Sequence, residues 1–103
     1  MTRYISLLRF TDKGAAALQK TTARAAEFRK AVQKDGITVE SQLWIAGSYD
    51  GVIILSGDEK KIHHWLAKLV AQGNVRTETL RAFDSSEIKE IVGGRQAALG
   101  TGE

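Results

Sequence analysis

The chain contains no cysteine and no proline, and no apolar run approaches the roughly 20 residues needed to cross a bilayer. Without cysteine, disulfides and thiolate chemistry are excluded. Without proline, every backbone N–H is available as a donor, which suits a compact sheet-and-helix domain. Basic clustering is missing too. The net charge of +3, from 15 Lys and Arg against 12 Asp and Glu, is spread along the chain, which serves solubility. A basic stripe or recognition motif of the kind nucleic-acid binders carry is absent, so that partner is not expected. Met1-Thr2-Arg3-Tyr4 moves directly into strand-like sequence with no basic, apolar and small-residue leader pattern. The expectation is a cytoplasmic chain, neither exported nor membrane-spanning.

What is present is a domain-sized chain of 103 residues, with 43% apolar and 26% charged residues, enough to build one core. Its most informative stretch is Gly47-Ser48-Tyr49-Asp50-Gly51, which joins an alternating segment to the wholly apolar run Val52-Ile53-Ile54-Leu55. Glycines and an aspartate are tight-turn chemistry, and β-branched residues directly afterwards fit a strand buried on both faces. One hairpin therefore marks the middle of a sheet.

Arg3 to Phe10 reads as a first strand, with Tyr4, Ser6, Leu8 and Phe10 on one face and Ile5, Leu7 and Arg9 on the other. Thr11 or Asp12 can cap a short helix, Thr21-Thr22 marks a break, and a main helix follows to Asp35 with Ala25, Phe28 and Val32 on one side. Gly36 fits its C-terminus. From Ile37 to Ala46 the pattern alternates, with Ile37, Val39, Leu43 and Ile45 on one face and Thr38, Glu40, Gln42 and Trp44 on the other. Gly57-Asp58 opens a second helix, with Ile62, Trp65, Leu66, Leu69 and Val70 as its apolar stripe. Val75 to Phe83 is a half-polar fourth strand. A short helix from Asp84 to Val92 closes the domain, and residues 93–103, beginning at Gly93-Gly94, read as a flexible tail.

The order β-α-β-β-α-β predicts an α+β, ferredoxin-like domain over residues 1–92, with an antiparallel sheet ordered 4-1-3-2 plus the C-terminal helix. The first and third strands are apolar on both sides and belong in the centre. The second and fourth carry the charge expected of edges. Two helices can cover only one face of such a sheet. The other face would leave an apolar patch on the order of several hundred Å2, more than a monomer usually tolerates. Pairing that face in a two-fold dimer is the economical solution.

Three blocks, Tyr4 to Gly14, the turn Gly47-Ser48-Tyr49-Asp50, and Gly73 to Phe83, resemble the GYD-domain family over about residues 3–92. That resemblance implies a dimeric α/β barrel of ferredoxin-like units, without defining an activity. A more distant similarity links Gly47, Tyr49, Asp50 and Val75 to Thr79 with the effector domains of the Lrp/AsnC regulators. It implies small-molecule binding between subunits. No DNA-binding helix-turn-helix is implied, because the chain has no room for one.

The candidate ligand-binding residues are Gly47, Tyr49, Asp50, Trp44, Arg76 and Glu78. For Asp50 and Tyr49 the plain alternative is that the carboxylate bonds nearby backbone N–H groups while the ring packs over the sheet end. Trp44, with Glu40 and Gln42 on its face, is expected in the interior beside Arg76, Glu78, Arg9 or Ser6. There it serves interface packing or ligand stacking. Arg9, Arg76 and Glu78 are expected as cross-strand ion pairs. His63 and His64 diverge around the second helix and cannot chelate one ion as an i,i+4 pair would, so no metal or cofactor is expected. No nucleophile-base order, phosphate loop or paired carboxylate can be identified. The leading expectation is a homo-oligomeric small-molecule-binding domain. The alternatives are a small monooxygenase or haem-degrading enzyme using Trp44, Arg76 and His63, and a purely structural assembly module.

Overall fold

The structure is a computed structural model and describes residues 2–98, with side chains through residue 93. Four strands, β1 (Thr2–Phe10), β2 (Thr38–Trp44), β3 (Gly51–Gly57) and β4 (Val75–Ala82), form one antiparallel sheet. Its order, β2-β3-β1-β4, is the succession 4-1-3-2 counted from the opposite edge. The doubly apolar strands β1 and β3 are central, where side chains on both faces have sheet neighbours.

The helices are α1 (Asp12–Ala16), α2 (Thr21–Lys34), α3 (Glu59–Ala71) and α4 (Ser85–Ala98), with a 3-10 turn at Leu18–Lys20 before α2. Three of them, α1, α3 and α4, begin at a side-chain cap, whereas α2 follows the 3-10 turn without one. Thr11 Oγ1 accepts the Gly14 N–H at 3.1 Å at the start of α1, and Asp58 accepts the Lys61 N–H at 3.0 Å at the start of α3. At α4, Asp84 and Glu87 exchange side-chain-to-backbone bonds of 2.8 and 2.9 Å, a reciprocal capping box. Gly36 and Gly73, at φ of 88° and 84°, supply the left-handed residue that ends α2 and α3. The last helix continues through Gly93-Gly94 to Ala98 rather than stopping near Val92. Glycine lowers helix propensity by only about 1 kcal/mol, which a capped start can offset. The expected tail beyond Ala98 lies outside the described residues.

Tyr4 and Leu8 of β1, Ile53 and Leu55 of β3 and Val75 of β4 pack with Phe28 and Val32 of α2 and Ile62 and Leu66 of α3. Val32, Leu55 and Ile62 are completely enclosed. Val70, expected in the α3 stripe, is exposed at its rim. Ser6, buried on the same side, is satisfied by Thr79 Oγ1 at 3.1 Å.

A β-bulge between Val39 and Ser41 reverses the expected alternation of β2. Glu40 is the extra residue, and its carboxylate accepts from Arg3 Nε at 2.9 Å. Up to Val39 the apolar residues face the core as predicted. Past the bulge the faces exchange, because one added residue shifts a period-two pattern by half a period. Leu43 consequently turns to the helix-free side, 56% exposed, while Gln42 and Trp44 turn toward α2.

The sheet therefore has one face under α1, α2 and α3 and another presenting Ile5, Leu7, Leu43, Val52, Ile54 and Leu80 in register. Leu43 and Leu80 are exposed and the other four are half-buried.

Candidate functional site

The Gly47 to Gly51 turn stands over one end of this open face. Ile45 N–H bonds Asp50 O at 2.9 Å and closes the loop, whose tip carries Gly47 at φ 152°. Asp50 ties the loop to the central strand twice. Its N–H donates to Leu8 O at 2.8 Å, and its carboxylate accepts the Phe10 N–H at 2.8 Å. The carboxylate is thus committed to satisfying the end of β1, which is the anchoring role weighed for it from the sequence. Gly51 opens β3 opposite Leu8 and Trp44. A Cβ there would meet Leu43 O at 3.3 Å, so the small residue suits the close strand approach.

Tyr49 leans across the sheet end instead of following the loop outward. Its hydroxyl donates to Glu78 Oε1 on β4, and the Arg9 guanidinium lies 4.7 Å from its ring centroid. The hydrogen bond to Glu78 is the main cause that raises the Tyr49 pKa above the ordinary phenol value, because ionisation would set a phenolate against a carboxylate. A shallow depression of about 260 Å3 is lined by Leu7, Arg9, Tyr49, Arg76, Thr77 and Glu78.

Three predicted site residues, Tyr49, Arg76 and Glu78, are therefore brought together, with Arg9 added to them. The expected ion pairs between Arg9, Arg76 and Glu78 do not form. Arg9 stands directly opposite Arg76, Glu78 stands opposite Leu7, and the Glu78 carboxylate is taken by Tyr49. Gly47 and Asp50 belong to the same turn as Tyr49, but neither lines the depression, and Asp50 borders the cleft on the helix side.

Trp44 is not part of it. The bulge turns its indole to the helix side, where Nε1 donates to Thr21 Oγ1 at 3.1 Å. There it borders a small cleft of about 70 Å3 between α2 and the sheet, which also touches Phe28, Gln42 and Asp50. Ser6, the other proposed neighbour, is likewise on the helix side.

The histidines lie elsewhere. His63 is exposed and meets Tyr4 edge-on, with ring centroids 4.9 Å apart, while His64 packs against Trp65 at 5.6 Å. Tyr4 donates to Glu59 Oε1 at 2.8 Å, which raises its pKa as well. Among the described residues no three His, Cys, Asp or Glu side chains group as metal ligands, and no helix is long and apolar enough to cross a membrane.

At the far end of β1 a second charge cluster is fully paired. Arg3 approaches Glu40 at 2.9 Å, Glu87 at 3.4 Å and Asp84 at 3.8 Å, and Glu40 is the main cause that raises its pKa. These contacts tie the start of α4 to the sheet.

An antiparallel four-stranded sheet with helices packed on one side and the split β-α-β order defines an α+β domain of ferredoxin-like type. Within that class the chain belongs to the GYD domain family, whose profile matches residues 4–92. No curated protein matches it closely.

Proposed function

We propose that this chain is a homo-oligomeric small-molecule-binding domain, paired through the open face of its sheet as a dimeric α/β barrel. The site would lie at the subunit boundary beside the Gly47 to Gly51 turn. The observation that carries this reading is the uncovered face itself: Ile5, Leu7, Leu43, Val52, Ile54 and Leu80 form a continuous apolar surface that α1, α2 and α3 leave bare. Exposed Ile88, Ile91 and Val92 on α4 add a second apolar strip. Covering such surfaces with an identical copy removes them from water at about 25 cal/mol per Å2.

The Tyr49, Glu78, Arg9 and Arg76 cluster sits where that apolar surface ends, so pairing would roof the depression and leave polar groups at its mouth. This is the usual make-up of a ligand site, apolar walls with a few convergent polar groups. A cytoplasmic setting belongs to the same reading. The test is native mass spectrometry of protein purified from its source, joined to sedimentation at micromolar concentration. A dimer or larger ring that retains a small molecule is the expected result. A lone subunit would remove the shared walls, and an assembly that no metabolite stabilises would reduce the chain to a structural module.

A further inference from the structure

The open face carries an electrostatic imbalance at its turn end. Arg9 and Arg76 are direct cross-strand partners, an arrangement in which like charges repel. Arg9 is partly accommodated by the Tyr49 ring. Arg76 is exposed, and among the described residues its side chain donates no hydrogen bond and has no carboxylate within 4.0 Å. The one acid in the depression, Glu78, is engaged by the Tyr49 hydroxyl. The opposite end of β1 shows the contrast, since Arg3 on the same face is surrounded by Glu40, Asp84 and Glu87.

We propose that the Arg9–Arg76 pair is the anion subsite of the turn-end site and that it takes a small organic carboxylate whose uncharged body rests on Leu7. The proposal rests on the reading that this end of the sheet holds a small molecule, and it assigns that molecule's charged group. Two guanidinium groups offer planar forks that match a carboxylate's two oxygens, and an anion between them converts a repulsive pair into a bridged one. The count of charges favours a monoanion. Two arginines and Glu78 leave one positive charge, which a monoanion neutralises, whereas a dianion would leave the depression with a net negative charge.

The test is calorimetric titration of the native assembly with benzoate, benzamide and phenyl phosphate, with the arginine Nε–H resonances followed by NMR. Benzoate should bind and shift Arg9 and Arg76, while its neutral isostere benzamide should not bind. Arg76→Gln should weaken benzoate by about tenfold or more, the loss of one charge-assisted hydrogen bond, while Arg29→Gln on the exposed side of α2 should not. Arg76→Lys, which keeps the charge and loses the fork, should also weaken it and serves if the glutamine variant fails to fold. Absent benzoate binding, equal binding of benzamide, undiminished binding to the Arg76 variants, or tighter binding of phenyl phosphate would each overturn the assignment. Sedimentation of the same samples separates the two readings. A dimer that ignores benzoate refutes the carboxylate site alone, and a lone subunit that binds it refutes the pairing alone.

Discussion

At the scale of single residues, hydrogen bonds decide which of the turn's side chains hold the fold and which are available for other work. Asp50 holds the fold. Its carboxylate is the acceptor for the last N–H of β1, so Asp50→Ala leaves that donor without its partner and should cost about 1–3 kcal/mol in chemical denaturation. Asp50→Asn, which keeps an acceptor oxygen, should recover much of the loss. An unchanged midpoint for Asp50→Ala would refute the anchoring role and return the carboxylate to the list of ligand contacts.

Tyr49 and Tyr4 make a second prediction at this scale. Each phenol donates to a carboxylate, Glu78 and Glu59 respectively, and each pKa is raised above its ordinary 10.0. The folded state favours the neutral phenols, so their contribution to stability is present below the unfolded value and is lost as pH rises through the raised folded values. The chain has only two tyrosines. Ultraviolet titration should therefore show both tyrosine midpoints above the ordinary 10.0 in the native protein, and Tyr49→Phe should remove one of the two late steps. A normal titration step that disappears in Tyr49→Phe would sink the Tyr49–Glu78 bond.

Among the elements, α1 is the most tightly constrained by its neighbour. Thr11 N–H and Oγ1 reach Asn74 O and Gly73 O at 3.1 and 2.5 Å, which docks the end of β1 and the start of α1 on the approach to β4. Gly14 fits only because it has no side chain: a Cβ there would stand 2.0 Å from the backbone oxygen of Asn74. Backbone cannot swing away as a flexible side chain can. Gly14→Ala should lower stability by about 1–3 kcal/mol despite alanine's better helix propensity, as measured by denaturant midpoint. An unchanged or higher midpoint would show that α1 is not so closely seated.

The elements also mark how far the amino-acid order could be read. Helix starts at Thr11, Asp58 and Asp84 and stops at Gly36 and Gly73 were legible, because caps are decided within a few residues. The bulge at Glu40 was not. The polar run Glu40-Ser41-Gln42 interrupts the apolar spacing between Val39 and Leu43 without saying which residue is extra: Ser41, not Glu40, takes the place opposite Ile54, and the extra residue is held by Arg3 from a strand 37 positions away in sequence. That one insertion separated Trp44 from Arg76 and Glu78 and moved Leu43 to the open face. The end of α4 is not legible for the converse reason: Gly93-Gly94 is a weak local stop, and the helix runs through it to Ala98.

For the whole molecule, the decisive feature is a sheet with one sheltered and one bare face. Ile54 lies in the middle of the bare face on a central strand, away from the Arg9–Arg76 depression. Ile54→Asp should convert the proposed dimer to a single subunit at micromolar concentration in sedimentation velocity, because it places a charge where two apolar faces would meet. Leu55→Ala, one residue along and completely enclosed on the helix side, should instead lower stability by about 2–5 kcal/mol through a cavity. If Ile54→Asp sediments as the wild type does, the open face is not the contact.

By itself, the sequence determined the strands, the helix caps, the hairpin and the two-sided apolar character of β1 and β3, because each depends on a residue's own chemistry and its near neighbours. Only the tertiary structure decided that Trp44 faces α2, that Glu78 belongs to Tyr49, and that Arg9 confronts Arg76. Strand register sets which distant side chains stand opposite one another, and a single bulged residue is enough to exchange the faces of everything beyond it.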